Sequence, residues 1–187
     1  VNYIVDDIGV VVENLSSGRY WAKEFDQFFR GNPCQYLYGH RLQINNQLLR
    51  QQQNPAKKEQ RYPLIALFLD IEEPVINGVI NYKLNLVIGA KTDPNYSTEA
   101  RYQDNKPFKS VLYPLYYAFM QSLSDSGLFM WPGVADMPKH SKIDRPFWGV
   151  SIADELGVKK NEANIFNDFL DAIQIKNLEI NQKLKTC

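Results

Sequence analysis

The residues that most constrain this chain are Asn77 and Gly78. They lie between the apolar pairs Val75-Ile76 and Val79-Ile80, and an Asn-Gly dipeptide in that setting is the strongest local signal for a β-hairpin. A type I′ turn needs positive φ at both central residues, which Gly adopts freely and Asn more readily than most. Upstream, Leu64-Ile65-Ala66-Leu67-Phe68-Leu69-Asp70-Ile71 is a short continuous apolar run, as in a buried strand. Downstream, Tyr82-Lys83-Leu84-Asn85-Leu86-Val87-Ile88 alternates, as in a half-buried one. A two-residue turn puts Ile76 opposite Val79. The same register carried inward sets Ile65, Leu67, Leu69 and Ile71 opposite Ala90, Ile88, Leu86 and Leu84 on one dry face. The other face receives Ala66, Phe68, Asp70 and Glu72 opposite Gly89, Val87, Asn85 and Lys83. Glu72 against Lys83 is a cross-strand charge pair of roughly 0.2–1 kcal/mol. Pro74, which cannot donate to a ladder, marks the outer part as an edge or projecting arm.

A dry sheet face needs a cover, and the pattern over residues 108–123 supplies one. Phe108, Val111, Leu112, Leu115, Tyr116, Phe119, Met120 and Leu123 recur at helical spacing. Pro107 suits a first helical position, whereas Pro114 removes a backbone hydrogen bond and should kink the helix or delay its true start. Gly127 closes it. A helix over 4–15 aligns Val5, Ile8, Val12 and Leu15, with Asp6 and Asp7 in its first turn; the run Val10-Val11-Val12 would serve a strand equally well. Helical patterns also cover 20–30 (Trp21, Phe25, Phe28, Phe29) and 41–53 (Leu42, Ile44, Leu48, Leu49), the latter followed by a polar linker over 54–61. Ser97 or Thr98 caps a further helix start, with Glu99 in the first turn. Residues 128–163 read as an irregular, aromatic-rich insertion with a short strand near 145–149 and a helical turn near 151–156.

Residues 169–180 read as a closing strand. Ile173 and Ile175 hold one phase and Leu178 and Ile180 the other, so a bulge near Lys176-Asn177 is required to reconcile them. A helix from Ile165 to Ile173 is the rival. The 187 residues have the size of a single domain. The expected fold over 1–187 is α+β, with a mostly antiparallel sheet built on a long hairpin (about 64–76 and 79–91). Helices at about 4–15 and 108–123 pack on one of its faces.

Charge narrows the partners. Lys and Arg number 21 and so do Asp and Glu, which argues against a chain that coats nucleic acid or lies on an anionic membrane. The 13% aromatic content predicts a packed core. No run approaches the roughly 18–20 apolar residues of a membrane span. Asp6 and Asp7, with no basic residue before them, are unlike a signal peptide. Cys34 and Cys187 read as two free thiols of a reducing compartment rather than as a bridge.

His40 and His140 are the only histidines, and His40 reads as a hydrogen-bonded structural residue. Neither a Cys-x-x-Cys pair nor a G-x-S-x-G, G-x-x-x-x-G-K or H-E-x-x-H motif occurs, so no enzyme activity, metal or cofactor is expected. The nearest enzymatic pattern sets Asp70, Glu72 and Glu73 on one strand and Asp171 with Gln174-Ile175-Lys176 on another. Restriction-type nucleases hold magnesium and an attacking water with an Asp, then an acid (sometimes Gln) and a Lys one residue apart. Trp131 and Trp148 read as lids on the core; an exposed Phe129-Met130-Trp131 would instead be an interface patch.

The order of elements, helix, long hairpin, loop, amphipathic helix and closing strand, resembles the tail-terminator and tail-completion (head-tail joining) proteins of long-tailed bacteriophages. The strings Tyr62-Pro63-Leu64-Ile65-Ala66-Leu67, Phe108-Lys109-Ser110-Val111-Leu112-Tyr113-Pro114-Leu115-Tyr116 and Asp144-Arg145-Pro146-Phe147-Trp148-Gly149 are similar to strings in structural proteins of phages with Bacteroidetes hosts. The likeness spans roughly residues 36–181. It implies a virion protein, assembled in the host cytoplasm, that forms a homo-oligomeric ring, typically a hexamer. That ring caps the tail tube and meets the neck and connector proteins, and DNA passes through it without specific binding. In that setting the expected subunit interface is Pro74, Val75, Ile76, Asn77, Gly78 and Val79 at the hairpin tip, with Phe129, Met130 and Trp131. Another α/β interaction module and a metal-dependent nuclease are the alternatives.

Overall fold

A computed structural model of the chain describes residues 3–16, 34–131, 137–148 and 168–183. Asn77 and Gly78 adopt φ of 53° and 74°, as a type I′ turn demands, and Ile76 pairs with Val79. The turn belongs to a hairpin of β2 (Leu64–Glu72) and β3 (Val75–Ile76) against β4 (Val79–Lys91). Glu72 pairs with Lys83, whose Nζ donates to Glu72 Oε2 at 3.0 Å.

Further in, the register departs from the sequence expectation. Leu67 meets Leu86 rather than Ile88, and Ile65 meets Ile88 rather than Ala90. The ladder breaks between Phe68 and Glu72, where residues 69–71 oppose Leu84 alone. A slip of two residues keeps side-chain alternation, so Ile65 and Leu67 still share the dry face with Leu84, Leu86, Ile88 and Ala90. Leu69 does not join them: the bulge turns it out, and it is 46% exposed.

The bulge required by the last strand is present. β5 (Ser141–Arg145) and β6 (Leu170–Lys183) complete the sheet, and β6 pairs with β4 with a register shift between Leu84 and Leu86. Asn177 takes up the extra residue at φ 51°, and its N–H donates to Asn85 Oδ1 at 3.2 Å. Ile173, Ile175, Leu178 and Ile180 thereby reach one core. Residues 170–173 are strand, which removes the rival helix there. β5 lies ahead of the 145–149 expected for it, because Pro146 and Phe147 (φ 56°) turn the chain out of the ladder. A strand the sequence reading did not anticipate, β1 (Gln35–Gly39), runs parallel to β2. The sheet order is β1-β2-β4-β6-β5, with β3 beside β4.

One face carries α1 (Ile4–Ser16) and α5 (Tyr113–Asp125), which bury Ile8, Val11, Leu115, Phe119 and Leu123 against the dry hairpin residues. Ser122 Oγ donates to Val11 O at 2.8 Å and ties the two helices together. Pro114 delays α5 as expected: residues 108–112 form a wide π-helical turn, and Pro114 then sits in the first turn of α5, where its missing N–H costs nothing. The opposite face holds a second core under α2 (Arg41–Gln52), made of Ile44, Leu48, Leu64, Ala66, Phe68 and Val87 with Trp148 as its lid.

Part of the polar linker is helical, as α3 (Pro55–Lys58) and a 3₁₀ turn at Glu59–Arg61, and α4 (Thr98–Arg101) is capped by Ser97. His40 caps α2: its N–H donates to Gln43 Oε1 at 3.2 Å, and its Nδ1 accepts from the Leu42 N–H. The expected helix at 20–30, the turn at 151–156 and Cys187 lie outside the described residues.

Cys34 is buried in the first core, and burial holds its thiol far above the ordinary 9.0. Iodoacetamide at mildly alkaline pH is expected to spare Cys34 in the folded protein and to label it in guanidinium, as read by peptide mass spectrometry. Equal labelling in both conditions would contradict this placement.

Candidate assembly surface

β1 ends opposite Phe68, and beyond that level the sheet narrows to the end of β2, β3, β4 and β6. The result is an arm. Its tip exposes Val75 (56%) and Ile76 (65%), and Pro74, Asn77 and Gly78 are exposed too, with Val79 half-buried. On the far flank Met130 bridges to Asn181, its N–H donating to Asn181 O at 2.7 Å. Asn81 N–H donates to Pro74 O, and Asn81 Nδ2 to Asn181 Oδ1 at 2.8 Å, so one row of pairs crosses the arm from Pro74 to Met130. The two segments expected at the interface, 74–79 and 129–131, thus lie on the same arm, two strands apart.

Directly paired residues share a face and neighbours along a strand alternate. Ile76, Val79 and Met130 therefore point away from the helices, and Val75 with Ile80 points to the helix side. Alternation also corrects the reading of Phe129. The bridge at Met130 sends Phe129 inward, where it is buried in the first core, and Trp131 packs against the same core. Of the three, Met130 is the one whose exposure fits a contact surface.

The nuclease pattern does not assemble. Asp171 lies on the helix face, fully buried, with Oδ1 2.7 Å from Arg101 Nη1 and accepting the Phe147 N–H. Arg101 also donates to Thr92 Oγ1 and Asp93 O, and stacks on the Phe147 ring at 3.5 Å. Gln174 and Lys176 are on the other face by alternation, and Gln174 accepts from Arg145 Nε. Asp70 stands near the level of Leu84 while Asp171 pairs with Ala90, about 20 Å apart along the sheet at strand rise. Among the described residues no group of three or more His, Cys, Asp or Glu side chains is placed to hold a metal.

A polar cluster ties α5 to β5. Tyr113 OH donates to Asp144, Lys142 Nζ bonds the same carboxylate at 2.7 Å, and Tyr116 OH lies 2.6 Å from His140 Nε2. Burial, then the hydrogen bond to Asp144 and its charge, raise the Tyr113 phenol well above its usual range, and burial also raises Tyr116. Both phenols stay protonated and act as structural donors.

A further surface lies outside the residues that the sequence patterns single out. Beside β1 runs a groove of about 480 Å³, lined by Tyr36 to Gly39 of β1, by Leu69, and by Gln43, Asn46, Gln47 and Arg50 of α2. The signal was available: these four polar residues recur at helical spacing opposite the buried Ile44 and Leu48. No described helix is long and apolar enough to cross a membrane. Comparison of the chain with known protein families, with curated proteins and with solved structures finds no match.

Proposed function

We propose that this chain is a structural subunit of a homo-oligomeric ring that caps a bacteriophage tail tube and joins it to the neck. The observation that carries this reading is the arm: an extension of the sheet whose tip bears Val75 and Ile76, more than half exposed, with no cover in the chain's own described residues. Exposed apolar side chains at the end of a projecting element are what a protein contact uses. Closing a ring requires a contact between two different surfaces of the subunit, which an arm reaching into a neighbour provides. The partners in this reading are further copies, the tail tube and the neck proteins, in the virion. DNA passes through the ring, and a chain with equal numbers of acidic and basic residues has no surplus to grip it.

The test is a shortened arm. Glu72 pairs with Lys83 and Val75 with Ile80, so Glu73 and Tyr82 face each other across the hairpin. Replacing residues 74–81 by Asn-Gly rebuilds a two-residue turn in the same register. The parent protein is expected to show a multi-subunit mass by light scattering. The shortened protein is expected to be a monomer with an unchanged circular dichroism spectrum. A monomeric parent, or a shortened protein that keeps the parent mass, overturns the proposal.

A further inference from the structure

We infer that the groove beside β1 receives the arm of a neighbouring copy, residues 70–76, as an added strand. This rests on the ring reading and names the receptor for the arm. In a parallel pair alternate residues turn their main-chain groups to the same neighbour. Gln35 N–H donates to Pro63 O at 2.9 Å, so Gln35, Leu37 and Gly39 bond to β2. Tyr36 and Tyr38 therefore turn their N–H and C=O groups away from β2, to the open side of β1, where none of them meets a partner among the described residues. A row of open main-chain groups is a template for one more strand.

The wall opposite that edge suits an extended peptide. Gln43, Asn46 and Gln47 carry amides that both donate and accept, as a peptide main chain does. Arg50 is exposed, and no acidic residue lines the groove. Tyr38 and Leu69, each nearly half exposed, give apolar side chains a footing.

The arm has the complementary features. Its sequence from 70 is Asp-Ile-Glu-Glu-Pro-Val-Ile. Because β1 stops opposite Phe68, the outer side of this stretch has no neighbouring strand among the described residues. Asp70 and Glu73 are exposed and have no ion pair there, so they are available to Arg50. The five residues of β1 span about 16 Å, room for an added strand of four or five residues. A chain's own arm leads away from its own groove, locked to β4, so an arm that fills the groove comes from a second copy. Arm and groove are different surfaces, as a closing ring requires.

The experiment uses the arm-shortened protein carrying Asp70→Lys and Glu73→Lys, so that its remaining stub does not fill a neighbour's groove, and a fluorescent peptide of residues 67–78. Anisotropy is expected to report binding, and amide exchange by NMR is expected to slow at Tyr36 and Tyr38. Arg50→Glu, at an exposed position, is expected to weaken binding about tenfold, the loss of one charge-assisted contact. A peptide carrying Asp70→Lys and Glu73→Lys is expected to bind the Arg50→Glu protein better than the unaltered peptide does. No binding, binding that leaves both tyrosine amides exchanging as before, or binding indifferent to Arg50→Glu overturns the inference. A monomeric shortened protein that ignores the peptide removes the groove and leaves the ring reading. A shortened protein that keeps the parent mass removes the ring reading, and the peptide still decides the groove.

Discussion

Arg101→Met is expected to cost about 3–5 kcal/mol of folding stability, because it strands the Asp171 carboxylate in the core. Both side chains of this pair are fully inaccessible. Arg101 joins α4 to the Thr92-Asp93 loop and to β6, and Asp171 holds the Phe147 N–H where the chain leaves β5. Asp171→Leu is expected to cost as much by leaving the guanidinium unpaired. The double replacement is expected to be milder than either single one. Arg101 Nε and Asp171 Oδ2 make no hydrogen bond in the described residues, so the pair is imperfectly satisfied even when intact. Urea unfolding of the four proteins in a double-mutant cycle checks this. Losses that simply add would mean that the two charges do not depend on each other.

Phe119→Ala is the second large effect, at about 3–5 kcal/mol, through lost burial and the cavity left between α5 and the sheet. Phe119 is fully buried in the core shared by α1, α5 and the dry faces of β4 and β6. Tyr117, two residues away on the same helix, is 58% exposed, and Tyr117→Ala is expected to stay within about 0.5 kcal/mol of the parent. Thermal or urea unfolding that ranks the two variants equally would disprove the packing of α5.

These two predictions differ in how much the sequence announced them. Phe119 belongs to a stripe at helical spacing, and the dry strand faces belong to an alternation either side of Asn-Gly. Both are local patterns, readable without knowing what touches what. The bulge at Asn177 was legible for the same reason, since two isoleucines and a Leu/Ile pair fell out of phase. The bulge in β2 left no trace, because two extra residues restore the phase they disturb. The Arg101–Asp171 pair joins residues 70 apart, and nothing near either one announces the other.

β1 escaped because its pairing partner is a distant parallel strand and its five residues carry only a weak pattern. Within the candidate site, the tip at 74–79 followed from Pro74 and the turn. The inward turn of Phe129 depends on the bridge between Met130 and Asn181, which no local rule supplies. The polar stripe of α2 was visible as an ordinary wet helix face, and only the β1 edge beside it gives it a use.

The two bulges lie side by side, at Leu84 and Asn85 of β4, where the arm leaves the body. Bulges add local twist and bend, so this level sets the angle at which the arm is held. β4 and β6 nevertheless run through it without a break. A pull along the arm therefore loads their ladder in shear, with many hydrogen bonds strained together instead of opening one after another. A sideways push on the tip is handed down the same two strands to the platform on which α1 and α5 rest. In mechanical terms the arm is a cantilever with a preset cant, built from the same two beams as the body that anchors it.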